Sequence, residues 1–166
     1  MNYIRGAIQS GFSFVELSVA TAVFSMGLGS LSLMMLSAIQ GTAEARHQTV
    51  ATTQATSLAE MIAMSSDAYG HYVNPLASTP GACSGAFCDD AAMAAGNMAF
   101  WQAQLHDQLP GGGGLVCRDS TPDDGDLNEP ACDGQGATVI KIFWEESRHA
   151  NSEAGGQRRL VSRLQW

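Results

Sequence analysis

One uninterrupted apolar segment near the start of the chain constrains everything else. From Leu17 to Ala43 there is no charged residue, and Val, Leu, Met, Phe and Ala dominate as far as Met35. Counted from Phe12 to Leu36, the run is 25 residues long. About 20 residues at 1.5 Å each suffice to cross the ~30 Å of hydrocarbon in a bilayer. A secretory signal carries an apolar core of only about 7–15 residues followed by a small-residue cleavage site. The segment is therefore a membrane span rather than a discarded signal. The hydrophilic stretch before it, Met1–Gly11, holds one charged side chain, Arg5, which favours a cytoplasmic N-terminus.

Beyond the span the chain is polar, Gly-rich and acidic. Its 166 residues include 8 Lys and Arg against 16 Asp and Glu, for a net charge of −8. Sequence-independent nucleic-acid binding requires clustered cations that release counterions, and a polybasic membrane-surface protein requires the same excess. The composition disfavours both and describes a small anchored protein with one extramembrane domain.

Glu16 breaks the apolar pattern, because an ionised carboxylate inside a span costs about 2.5–3.5 kcal/mol and usually has a specific partner. Its neighbours suggest one. The string Gly11-Phe12-Ser13-Phe14-Val15-Glu16-Leu17 resembles the type III signal of type IV prepilins: Gly, Phe, a small hydroxyl residue, two apolar residues, Glu, then an apolar helix. The resemblance implies cleavage between Gly11 and Phe12 by a prepilin peptidase on the cytoplasmic side, and methylation of the new Phe12 amino group. The family pattern usually has Thr-Leu where Ser13-Phe14 stand, and a more basic leader. Cleavage would leave a cationic amine at Phe12 and a carboxylate four residues on. Two unpaired buried charges cost several kcal/mol each, whereas a good pair largely cancels that penalty. The pair is thus a register device for assembly rather than a source of stability.

Gly27 and Gly29 interrupt the span, each costing about 1 kcal/mol relative to Ala in a helix interior. Close packing of small residues between membrane helices is one reading; a local weak point that lets the helix stretch on leaving the bilayer is the other. From Gly41 to Ser65 the pattern stays helical and becomes amphipathic, with Ala51, Ala55, Leu58 and Ile62 on one face. Tyr69 to Cys88 has the punctuation of a loop. Asp89 or Asp90 caps a second helix running to about Leu109, with Met98, Trp101, Leu105 and Leu109 as its buried stripe. Leu115–Arg118, Thr138–Glu145 and Arg158–Trp166 are expected strands. The expected fold class is α+β: a long N-terminal helix packed on a small antiparallel sheet of three or four strands, stapled by disulfides. That arrangement resembles the pilin fold. The expected organisation is a leader over 1–11, a transmembrane helix over 12–36, an amphipathic soluble helix over 37–66 and a globular head over 67–166.

A longer set of matches narrows the resemblance. Trp101-Gln102-Ala103-Gln104-Leu105, Leu109-Pro110-Gly111-Gly112, Val116-Cys117-Arg118-Asp119, Cys132-Asp133-Gly134 and Ile142-Phe143-Trp144 look like PilV-type minor pilins. The implied partners are other minor pilins, the major pilin, prepilin peptidase and the inner membrane. The implied route runs from a single-pass inner-membrane protein to a pilus on the cell surface, with the head periplasmic or extracellular. A type II secretion pseudopilin would carry the same signal and fold. A pilus-tip binding module for adhesion or DNA uptake is a further alternative.

Four cysteines, Cys83, Cys88, Cys117 and Cys132, allow three pairings, of which the two local ones are favoured. Their spacing lacks Cys-x-x-Cys and His partners, so neither a metal nor a cofactor is expected. The stretch 119–133 holds Asp119, Asp123, Asp124, Asp126, Glu129 and Asp133. A Ca²⁺ site is one reading, although the EF-hand spacing is missed. A solvated, mobile loop is the plainer one, and a contact surface for another subunit is a third. After residue 137 the balance reverses, with Lys141, Arg148, Arg158, Arg159 and Arg163 facing Glu145, Glu146 and Glu153. These cations suit the solvent side of edge strands, or else a modest polyanion surface. No catalytic residues are assigned: nucleophile elbow, phosphate loop and His–Glu zinc motif are all missing from the sequence, and His47, His71, His106 and His149 are scattered.

Overall fold

The computed structural model describes residues 11–73, 88–146 and 156–164. It divides into two compact units that meet between Thr42 and Ala43.

Helix α1, Phe14–Met64, runs through that boundary. In the first unit its large apolar residues, from Phe14 to Ile39, are exposed. Its hydroxyl side chains fold back on their own helix. Ser18 Oγ donates to the Phe14 carbonyl at 2.8 Å, Ser25 Oγ to Thr21 at 2.7 Å and Ser30 Oγ to Gly27 at 2.8 Å. Bonded in this way, Ser and Thr can sit in an apolar helix without unsatisfied groups.

In the second unit, α1 contributes Ala51, Gln54, Ala55, Leu58 and Ile62 to the core. All four expected apolar residues are buried. The expected face omitted Gln54, whose amide donates to Gln104 Oε1 at 2.8 Å and whose carbonyl accepts Trp101 Nε1–H at 3.0 Å.

The loop expected after α1 is corrected at its start. A 3₁₀ turn, Ser66–Ala68, leads into a short helix α2, Tyr69–Tyr72. Tyr72 is fully buried, with its hydroxyl accepting from Asn97 Nδ2 at 2.7 Å, and Tyr69 hydrogen-bonds Thr138. Helix α3, Asp90–Gln108, begins where expected. The Asp89 carboxylate accepts the Ala92 N–H at 2.7 Å, satisfying one of the open donors at a helix start. Ala94, Met98, Trp101 and Leu105 form its buried stripe, continued by Leu109.

Three strands follow among the described residues: β1, Gly113–Asp119; β2, Ala137–Glu145; and β3, Gln157–Arg163. They form an antiparallel sheet in the order β1-β2-β3. Two strand boundaries differ from expectation by more than one residue. Strand β1 starts two residues earlier because Gly114 lies against α3; a Cβ there would stand 2.6 Å from the Trp101 ring and 2.8 Å from the Lys141 carbonyl. Strand β3 ends at Arg163, and Trp166 lies outside the described residues.

The larger correction concerns β2. Every residue from Thr138 to Trp144 is buried, so both faces of the sheet are covered. Ile140, Ile142 and Trp144 join Val116 in the core with α1 and α3. Val139, Lys141 and Phe143 occupy the opposite face, which residues 120–136 cover. Lys141 is therefore not a solvent-facing cation on an edge strand but a fully buried residue at the centre of the sheet.

Candidate functional site

Two loci carry the residues singled out by the sequence. The first is the start of α1. Gly11, Phe12 and Ser13 precede the helix, whose first internal bond is Leu17 N–H to the Ser13 carbonyl at 3.1 Å. The Gly11–Phe12 peptide bond is thus outside regular structure, and Phe12 is exposed. Glu16 lies in the first turn of α1, where unpaired N–H groups and the positive end of the helix dipole favour a carboxylate. Of the most apolar 18-residue window in α1, 0% is buried within the chain. Soluble proteins rarely leave a contiguous apolar patch of more than a few hundred Å² uncovered. The segment is long and apolar enough for single-pass membrane anchoring.

The second locus is the outer face of the sheet. Cys117 and Cys132 form a disulfide with Cα atoms 6.2 Å apart, closing a 15-residue separation. Cys88 is also disulfide-bonded; the Cys83 half of the expected local pair lies outside the described residues. Inside the Cys117–Cys132 closure sits a buried ion pair, with the Lys141 ammonium on Asp119 Oδ2 and both side chains fully buried. Lys141 Nζ also donates to the Pro130 carbonyl at 2.8 Å, and lies 3.3 Å from both the carbonyl and the carboxylate of Asp124. A Lys ammonium has three protons, and these partners use all of them.

The acidic stretch is therefore a folded cover rather than a solvated, mobile loop. Three of its six carboxylates are acceptors for its own backbone. Asp119 Oδ1 takes the Thr121 N–H at 3.0 Å, and Asp126 Oδ1 takes Asn128 at 2.7 Å and Glu129 at 2.8 Å. Asp133 takes Gln135 at 2.7 Å, together with the amide and hydroxyl of Ser120. The Thr121 hydroxyl chiefly, with help from Lys141 and against partial desolvation, holds the Asp124 carboxyl below the usual range. The Ser120 hydroxyl does the same for Asp133. Gly136 closes the excursion at φ 72°, and a Cβ there would stand 2.6 Å from the Asp119 carbonyl.

Cys117, Asp119 and Cys132 are the one gathering of metal-type ligands among the described residues. Both sulfurs are consumed by the disulfide, and Asp119 is consumed by Lys141. Two of the remaining cations also have structural partners. Arg158 joins Glu146 at the end of β2 to Glu44 on α1, and Glu146 raises its pKa. Arg159 donates to the Gly125 carbonyl at 2.7 Å. Arg148 and His149 lie outside the described residues. Of the other histidines, His71 and His106 are exposed and His47 is half-buried.

The burial of Lys141, though not the identity of its partners, had a signal in the sequence. Thr-Val-Ile-Lys-Ile-Phe-Trp is apolar on both parities, and a strand covered on both faces buries whatever stands at its centre. No protein-family model matches the chain, and no curated protein or solved structure matches it.

Proposed function

We propose that this chain is a subunit of a type IV filament, built into the polymer through its N-terminal helix. Within that class we assign it as a PilV-type minor pilin acting in a priming or tip complex. One observation carries the reading. A helix with an uncovered apolar surface begins three residues after Gly11, with Glu16 as the lone charge in its first turns. That arrangement suits hydrolysis of the Gly11–Phe12 bond by prepilin peptidase and methylation of the Phe12 amine. It also suits pairing of that amine with a Glu16 carboxylate in the apolar helix bundle of a filament. The head would then lie across the inner membrane from the cytoplasm and reach the cell surface with the pilus. There it would meet the major pilin and other minor pilins.

The test is mass spectrometry of the mature N-terminus in membranes and in sheared surface filaments. A chain beginning at methylated Phe12 and present in sheared pili supports the reading. An uncleaved chain confined to membranes overturns it. The pseudopilin alternative shares the processing and differs in location. The tip-binding alternative predicts that deletion leaves piliation intact while adhesion or DNA uptake is lost.

A further inference from the structure

The two edges of the sheet are treated differently. Hydrogen bonds from Leu164 N–H to Thr138 O and from Glu146 N–H to Gly156 O fix the phase of the β2–β3 ladder. Backbone groups in an antiparallel pair alternate between facing the partner and facing away. In the observed register, Arg159, Val161 and Arg163 turn their N–H and C=O groups away from β2. The same argument applied to β1 makes Gly114, Val116 and Arg118 its outward residues. There the chain supplies partners: Gln102 Nε2 donates to the Gly114 carbonyl at 3.3 Å, and Gly134 N–H to the Arg118 carbonyl at 3.0 Å. No described residue does this for β3.

Edge strands are commonly blunted by proline, a bulge, a cover or charged side chains. Strand β3 pairs with β2 residue for residue over its whole length, without a bulge, and contains no proline. Its outer face instead carries Arg159 and Arg163, four residues apart and both exposed. Beside Arg159 a recess of about 350 Å³ opens between β3 and the covering loop, lined by Gly125, Asp126, Phe143, Gln157, Arg158 and Arg159. When an extended segment adds to a sheet edge, backbone bonds supply affinity, and pockets or charges opposite alternate side chains supply specificity.

We infer that the outer edge of β3 receives an extended acidic segment of another protein as a fourth strand, its carboxylates facing Arg159 and Arg163. A nucleic acid fits less well. It has no use for backbone donors spaced along a strand, and two arginines are too few for counterion-driven binding.

The test uses the full chain in detergent micelles and a fluorescein-labelled peptide, acetyl-Thr-Val-Glu-Val-Thr-Val-Glu-Val-Thr-amide, followed by anisotropy. Its glutamates share one face at the spacing of the two arginines. Saturable binding is expected, weakened by salt and lost when lysines replace the glutamates. Arg163→Glu is expected to weaken it by about tenfold, one lost charge contact. Val161→Pro removes only an outward N–H, so binding is expected to vanish while the β2–β3 ladder and the far-UV circular dichroism persist. Should Val161→Pro fail to fold, peptides N-methylated on the edge-facing residues test the same point and must not bind. Absence of binding at millimolar peptide overturns the inference. So does equal binding of the lysine peptide or of an N-methylated one. Tighter binding of an oligothymidine than of the acidic peptide overturns it as well.

Discussion

Replacing Lys141 by Met isolates the energetic role of the buried pair. The two side chains have similar length, so the site stays filled; what changes is the charge. Asp119 is 1% exposed and its Oδ2 has the Lys141 ammonium as its ion-pair partner. Removing that partner leaves a buried carboxylate uncompensated, which costs about 3–5 kcal/mol. The head unit begins at Ala43 and ends at Trp166. At about 2.1 cal/mol/K per residue, that loss lowers the melting temperature by about 10–20 °C. The matching double variant, Lys141→Met with Asp119→Asn, removes both charges while keeping an acceptor for the Thr121 N–H. It is expected to recover most of the loss, since neutralising a buried pair together is often nearly free. The assay is thermal unfolding followed by near-UV circular dichroism, which reports the packed Trp101 and Trp144 rings. A single variant within about 0.5 kcal/mol of the parent refutes the argument. A double variant no better than the single one also refutes it, because the cost would then lie in the Asp124 and Pro130 carbonyls.

Three further outcomes follow from the two loci. Glu16→Ala is expected to leave cleavage after Gly11 largely intact and to reduce the amount of the chain in sheared filaments; immunoblotting of membrane and filament fractions checks this. Cys132→Ser is expected to destabilise the head by about 3 kcal/mol for a closure of 15 residues, read from a shifted denaturation midpoint under non-reducing conditions. The depressed carboxyls of Asp124 and Asp133 make the covering loop sensitive to acid. The unfolded chain takes up protons first, so their stabilisation is complete above the ordinary carboxylate value near 4. It shrinks as pH falls through that value and is gone below the folded ones. Pepsin cleavage within 120–136 should therefore rise more steeply below about pH 4 in the parent than in Ser120→Ala.

The elements that repeat a period were legible before the structure. Ala51, Ala55, Leu58 and Ile62 announced their face by spacing, and Met98, Trp101 and Leu105 did the same. In each case burial depends on one local helix meeting one apolar surface. What escaped depends on what covers a surface from afar. Nothing near Lys141 in sequence says that residues 120–136 lie over it; the partners Asp119, Asp124 and Pro130 are brought there by the return of the chain across the sheet. Tyr72 escaped for the same reason. Its helix is a single turn, too short to show a period, and it is held by Asn97, 25 positions away. At the start of α1 the sequence carried nearly all the information, because a long uncovered apolar run is a property of composition.

The two covers of the sheet also differ in kind. The α1–α3 side is held by apolar contact, with Leu58, Ile62, Trp101 and Leu105 against Val116, Ile140 and Ile142. The other side is held by a disulfide, a buried ion pair and side-chain bonds to backbone, with Leu127 lying against Gly113 and Pro122 buried. A cover of this second kind depends on its surroundings, because its crosslink persists only where thiols stay oxidised. In a reducing compartment the Cys117–Cys132 closure would open, and the cover over Val139, Lys141 and Phe143 would lose its crosslink. The disulfide is compatible with an oxidising compartment, which is where the proposed orientation of α1 would deliver the head. Under that proposal Arg5 before the apolar segment and the disulfide beyond it agree, one through electrostatics and one through redox chemistry.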